Sequence, residues 1–301
     1  MSISKLDQMF EVLKTKSKKR LIAAFANDSH TIEAVSEAIN RGLVEGTLVG
    51  DEDIIRNVCR EHDIDPGKFT IINEPAETAA AEKAVAIIKN KEGDILMKGL
   101  VSTDKYMRAI LDKEKGLMEP NAILTHVTVI ENVNYHKLII CGDVAIIPLP
   151  DLKQKIAIVN YLIKTAQSLG IEKPKVAVIA ATEQMLAGMP ACVDAAILAK
   201  MADRGQIKGA YIDGPLSLDA AIDKESAEIK KVIGPVAGDA DCLLFPNIEA
   251  GNVFYKCNTK LAGGEQGALV MGARVPAVLS SRGDSMMTKL YSIALAALLT
   301  K

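Results

Sequence analysis

The 301-residue chain contains no tryptophan, and aromatic residues make up only 4% of it. Apolar residues still reach 49%, so its cores must be filled by Ala, Val, Ile, Leu and Met. There is no basic surplus. The formal net charge is −2, which argues against nucleic acid as a partner. The five cysteines (Cys59, Cys141, Cys192, Cys242 and Cys257) are odd in number and form no CxxC pair. Neither a disulfide frame nor a zinc site is expected, and reduced thiols fit a cytoplasmic protein. No apolar run is long enough to span a bilayer, and the opening MSISKLDQMFEVLKTKSKKR lacks the apolar centre of a signal peptide. Absent too are GxGxxG after a strand, GxxxxGK[ST], HExxH and GxSxG, which weakens dehydrogenase, kinase, metalloprotease and serine-hydrolase readings.

What is present is alternation. Short apolar runs such as Arg20–Ala26, Thr47–Gly50, Phe69–Asn73 and Asp94–Gly99 are each separated by a helical stretch. That rhythm predicts an α/β fold with mainly parallel sheets and helices on their faces. Residues 4–17, 51–62 and 76–91 read as helices. After the helix carrying Tyr106 the texture changes, and Val127–Glu131 and Lys137–Asp143 look like neighbouring antiparallel strands. The step Pro148-Leu149-Pro150-Asp151 suggests a domain boundary. A second alternating set follows it, including a helix over 220–232 and helices over 250–262 and 264–272. The final strand 275–279 and helix 285–300 are too little for a domain, so they are expected to return to the first. The expected division is 1–147 plus 276–301 against 148–275, with a cleft between two α/β domains.

In open α/β sheets ligands bind beyond the carboxyl ends of strands, often at helix N-termini. Ser280-Ser281-Arg282-Gly283-Asp284-Ser285 lies between a strand and a helix. Free backbone N–H groups and the Arg282 guanidinium would make that corner a receptor for phosphate or a developing oxyanion. Asp284 either caps the following helix or takes a proton. Asp213, in YIDGPLSLDAAI, stands where a strand meets a helix, as do Asn247 and Asn252 in LLFPNIEAGN, with Lys256 one turn later. Capping explains Asn247 nearly as well as binding does. Lys98, Ser102, Thr125 and His126 are polar residues at strand ends in the first half and are expected to line a site. Asp51-Glu52-Asp53 opens a helix and reads as dipole matching, so no metal site is expected.

Taken in order, LMKGLVST, LTHVTVIE, CGDVAIIPLPDLKQKIAI, YIDGPLSLDAAI, DCLLFPNIEAGNVFYK and PAVLSSRGDS resemble the phosphate acetyltransferase and phosphate butyryltransferase family over nearly the whole chain. LTHVTVIE and LSSRGDSMMTK are closer to the butyryl branch. The resemblance implies two α/β domains of the kind shared with isocitrate and isopropylmalate dehydrogenases. It also implies transfer of a short-chain acyl group between coenzyme A and phosphate, interconverting acyl-CoA and acyl phosphate, with no redox cofactor or catalytic metal. Ser281 and Arg282 match the family's Ser-Arg pair and would hold phosphate and the oxyanion. The acetyl branch carries its aspartate further along this loop, where this chain reads Ser285-Met286-Met287-Thr288, so Asp284 stays open between base and cap. The apolar terminal and Ala-rich helices leave room for a homo-oligomer interface. Two rivals are a metal- and NAD-dependent decarboxylating dehydrogenase, for which Asp213, Asp219 and Asp239 show no clear ligand spacing, and a non-enzymatic binding protein for a CoA-linked or phosphorylated metabolite.

Overall fold

The computed structural model describes residues 2–279 and 284–300, and the chain forms two compact units. The first comprises 7–124 and 267–301, the second 1–6 and 125–266.

The first unit begins with α1 (Gln8–Leu13), shorter than the helix expected over 4–17, and then alternates β1 (Lys19–Ala24), α2 (Ser29–Asn40), β2 (Val44–Gly50), α3 (Glu52–Glu61), β3 (Phe69–Asn73), α4 (Glu77–Lys89), β4 (Ile95–Lys98) and α5 (Thr103–Leu111). β1 pairs in parallel with both β2 and β4, and β2 with β3. Strands flanked on both sides and covered on both faces are buried throughout, which is why Leu21-Ile22-Ala23-Ala24 is a continuous apolar run rather than an alternating one. Asp28 caps α2 by accepting the Thr31 N–H at 2.9 Å, and Ile32, Val35 and Ala38 face the sheet. The approach is close: a Cβ on Gly46 of β2 would lie 2.7 Å from Val35.

The second unit holds β5 (Thr125–Glu131), β6 (Ile139–Gly142), α6 (Leu152–Ser168), β7 (Lys175–Ile179), α7 (Pro190–Asp203), β8 (Tyr211–Leu216), α8 (Leu218–Ile222), α9 (Lys224–Ile229), β9 (Cys242–Leu244) and α10 (Ile248–Lys256). β5 and β6 are antiparallel, as their sequence suggests, and β6, β9, β7 and β8 then pair in parallel. Cys141, Ala177, Leu216, Leu243 and Phe245 belong to one buried cluster. The helix expected over 220–232 is two helices, because Asp223 stops α8 and caps α9 by accepting the Ser226 N–H at 2.7 Å.

The chain then returns to the first unit through β10 (Glu265–Met271), β11 (Ala277–Val278) and α11 (Met286–Leu299). β10 replaces the helix expected over 264–272. A buried apolar run of this length satisfies either period, and antiparallel pairing with β11 decides for strand. β11 pairs in parallel with β4, and α11, buried from Lys289 to Leu299, covers the sheet beside α2. The division expected at 147/148 falls instead at 124/125. β6 pairs with β9 of the second unit, so β5 and β6 cannot be separated from it.

Two polar clusters mark opposite ends of the second unit's strands. Just beyond β6, Asp143 is 2% exposed and its carboxylate accepts the Thr125 hydroxyl at 2.7 Å and four N–H groups, those of His126, Ala145, Ile146 and Ile147. At the amino ends, Asp239 contacts Lys175, Lys137 and His136, and Lys137 also reaches Asp241 at 2.7 Å. Burial opposes ionisation of Asp239, but hydrogen bonds from Lys175 and Lys137 outweigh it and hold its pKa far below the usual carboxylate range.

Asp143→Ala leaves five donors, three of them in buried bonds, without their acceptor and should cost about 3 kcal/mol or more, given about 1–3 kcal/mol for one unsatisfied group. Urea denaturation would measure it; a loss no larger than that of Thr125→Val would mean the remaining donors find other partners. A carboxylate depressed on folding contributes stability that is fully present above its unfolded pKa, about 3.9, and is lost as pH falls toward the folded value. The stability gap between wild type and Asp239→Asn should therefore be large at pH 6 and shrink at pH 3; an equal gap at both would remove this cluster from the acid limb.

Candidate functional site

Parallel pairing fixes which polar residues share an end of each sheet. In the first unit, β1, β4 and β11 finish on one side. Lys98 closes β4 and is 3% exposed, with its ammonium 3.2 Å from the Gly99 carbonyl. Asp28 follows β1, and its second carboxylate oxygen is buried without a hydrogen-bond partner. Asp284 and Ser285 lead into α11, one turn of which carries Lys289, 4% exposed. Burial lowers the pKa of Lys289, while the charges of Asp28 and Asp284 act in the opposite direction. Two buried ammonium groups thus stand at the strand end from which residues 280–283 depart. Ser281 and Arg282, the residues singled out for the grip on phosphate, lie outside the described residues.

The cap of α11 is Ser285, whose hydroxyl accepts the Thr288 N–H at 3.1 Å. Asp284, read from sequence as cap or base, precedes it. Ser102 caps α5 through the Lys105 N–H, and its own N–H is held at 2.7 Å by Glu77.

In the second unit the same rule gathers another set. β5 runs against β6, so Thr125 and His126 at its start meet Asp143 at the end of β6. His126 is buried, and its backbone position is set by the Asp143 carboxylate. Asn247 follows β9 and caps α10 through the Ala250 N–H at 3.0 Å. Asn252 donates to the Val144 carbonyl at 2.9 Å, and Gly251 lets α10 rest on Asp143, since a Cβ there would meet the Asp143 carbonyl at 2.4 Å. Thr125, His126 and Asn252 are therefore brought together around Asp143, and Asn247 caps the helix that rests on it. Two expected lining residues are not. Asp213 sits inside β8, opposite Ala177 and short of the strand end, with its carboxylate turned onto the Gly214 N–H at 2.8 Å. Lys256 is exposed at the far end of α10, roughly 13 Å along the helix axis from its cap.

Beyond β7 and β8 lies a constellation that sequence reading only half found. Lys230 reaches Glu183 at 3.1 Å, the Ser217 hydroxyl at 2.7 Å and Asp219 at 2.8 Å, and Ser217 also bonds Glu183 and Asp219. Lys230 and then Ser217 lower the pKa of Asp219 to about 2, and Ser217 followed by Lys230 lowers that of Glu183. Glu183 had a usable signal, a carboxylate four residues after a buried strand. Lys230 and Lys289 had none, since each reads as an ordinary helix-surface charge.

Among the described residues no three His, Cys, Asp or Glu side chains gather as a metal would require. The arrangement in the first unit offers buried positive charge, helix N-termini and a carboxylate, which suits an anionic group and a proton transfer.

Comparison with known proteins gives this arrangement a family. The phosphate acetyl/butaryl transferase family matches residues 4–85 and 77–297. The phosphate butyryltransferase of Clostridium acetobutylicum is 44% identical over 296 residues, covering 98% of each chain. The phosphate acetyltransferase of Rhizobium meliloti is 40% identical over 295 residues, covering 98% of this chain and 93% of its own. Among solved structures, a branched-chain phosphotransacylase from Enterococcus faecalis superposes with a TM-score of 0.81 at 28% identity, covering 93% of this chain and 98% of the other. A 4-hydroxythreonine-4-phosphate dehydrogenase from Klebsiella pneumoniae reaches 0.58 at 11% identity over 95% and 100%, a likeness of architecture alone. On fold, sequence and coverage together, the chain belongs to the phosphate acetyl/butaryl transferase family and is a phosphate acyltransferase.

Proposed function

We propose that this phosphate acyltransferase exchanges a short-chain acyl group between coenzyme A and inorganic phosphate, with butyryl preferred to acetyl. The observation that carries the reading is the pair of buried ammonium groups, Lys98 and Lys289, at the strand end flanked by Asp284. An anionic substrate that must reach a carbonyl carbon gains most from fixed positive charge held away from water. The higher identity to a butyryltransferase than to an acetyltransferase, 44% against 40%, supports the acyl preference.

In the direction that makes acyl phosphate, a phosphate oxygen forms a bond to the thioester carbonyl carbon. The carbonyl electrons collect on oxygen, then return as the C–S bond breaks and the coenzyme A thiolate leaves with its electron pair. Ser281 and Arg282 serve as donors to that oxygen and to phosphate. In reverse, the thiol proton passes to the Asp284 carboxylate, sulfur attacks the acyl phosphate carbonyl, and phosphate leaves. That Ser285 makes the cap bond to Thr288 supports this role for Asp284. The exchange balances without a redox cofactor or metal, and we assign neither.

In this reading Lys98 and Ser102 of the first unit bind phosphate, and Thr125, His126, Asn247 and Asn252 of the second unit are substrate-binding residues. We place the enzyme in the cytoplasm, where its free cysteines stay reduced. A homo-oligomer is favoured by the half-exposed Val193 and Ile197 on one face of α7.

Arg282→Ala should lower exchange by about 100- to 1000-fold, the usual cost of one oxyanion donor, without shifting the unfolding midpoint. Near-normal thiol release from butyryl-CoA with phosphate would reject the site. Asp284→Asn should slow the thiol-consuming direction by about 100-fold or more and flatten its pH profile; identical profiles for variant and wild type would remove Asp284 as the proton acceptor.

A further inference from the structure

A second recess lies in the first unit between α4 and α5. α4 leads into β4 and α5 departs from it, so Lys89 and Asn90 stand at the end of β4 opposite Lys98. The groove encloses about 450 Å³, within the range of small-molecule sites. Val85, Ala86 and Ala109 form its apolar floor. The two alanines, one on each helix, put little side chain into the groove.

The rim is charged, and its pairing is uneven. Lys105 is matched by Glu77, and Arg108 by Asp104 at 3.0 Å. Among the described residues Lys89 donates to the Glu114 carbonyl alone, and the Lys115 ammonium makes no hydrogen bond or ion pair. Asp112 stands near both lysines, but its carboxylate is engaged by the N–H groups of Lys115 at 2.6 Å and Glu114 at 2.9 Å. One end of the slot therefore presents two ammonium groups that share the single Asp112 carboxylate as their electrostatic partner. Glu82, two helical turns before Lys89, supplies a hydrogen-bond acceptor elsewhere on the rim.

We propose that the α4–α5 groove binds a nucleoside monophosphate, its ring over Val85, Ala86 and Ala109 and its phosphate between Lys89 and Lys115. A phosphate monoester carries about −1.5 to −2 at pH 7, so its several oxygens can reach both ammonium groups, which one shared carboxylate, already engaged by two N–H groups, does not bond. Glu82 accepts from a ring amine or a ribose hydroxyl. The site uses no residue of the acyl-transfer reading and stands or falls apart from it.

Isothermal titration of the full chain with AMP tests the proposal, with adenosine and inorganic phosphate as separate titrants. AMP should bind more tightly than either part. The exposed double substitution Lys89→Gln/Lys115→Gln should weaken it by at least about tenfold, Ala86→Leu should abolish it, and Arg282→Ala should leave it unchanged. Unchanged AMP affinity in the double variant, equal affinity for adenosine, no heat up to millimolar AMP, or loss of binding in Arg282→Ala would each overturn the assignment. If Ala86→Leu fails to fold, the double variant alone decides, since both its residues lie at the surface.

Discussion

Parallel pairing of buried strands is the constraint on which the rest of this structure depends. A parallel ladder sends every strand out of the sheet on the same side and requires a crossover helix to bring the chain back. Strand exits and helix starts therefore accumulate along one edge in each unit. Those exits are where polar side chains can stand beside unsatisfied N–H groups. The antiparallel β5 obeys the same geometry in reverse, entering where β6 leaves, which is how Thr125 and His126 meet Asp143.

Charge is handled differently at the two sheet ends of the second unit. At the amino ends, Asp239 and Asp241 are tied to Lys137 and Lys175 in a network whose members satisfy one another. At the carboxyl ends, Asp143 is held chiefly by neutral N–H donors and a hydroxyl, which orders backbone rather than cancelling charge. In the first unit the buried ammonium groups of Lys98 and Lys289 lie at the carboxyl end. Burial works against the charged form of Lys289, a form that an anion arriving from solvent would favour.

Much of this was legible in the sequence. Leu21–Ala24, Lys175–Ile179 and Cys242–Leu244 declared themselves by apolar runs between helical stretches, and the antiparallel β5–β6 pair by the change in texture after Tyr106. Glu265–Met271 misled because a short buried run fits a strand and a helix alike. The unit boundary misled because prolines mark loops rather than the strand pairing that holds a unit together. Polar residues next to strand ends, such as Lys98, Ser102, His126 and Asn247, were found by position. Lys230 and Lys289 were not, because what makes them unusual is which element they pack against, and one helix's own sequence does not contain that. Asp284 and Ser285 illustrate the limit: two adjacent residues able to cap a helix are separated only by seeing which one accepts the Thr288 N–H.

The return of the last segment to the first unit has a consequence for biosynthesis. β11 lies between β4 and β10 in strand order, so one side of β4 has no partner until residues 277–278 leave the ribosome, and α2 lacks its cover until α11 follows. The second unit, apart from a few residues at its start, is one continuous stretch ending at residue 266, so its synthesis is finished before β11 begins at Ala277. Vectorial synthesis thus delivers the inserted unit complete while its host waits with an open sheet edge, the feature that invites mispairing between nascent chains. Residues 277–299 act as the closing segment of the unit that residues 7–124 began.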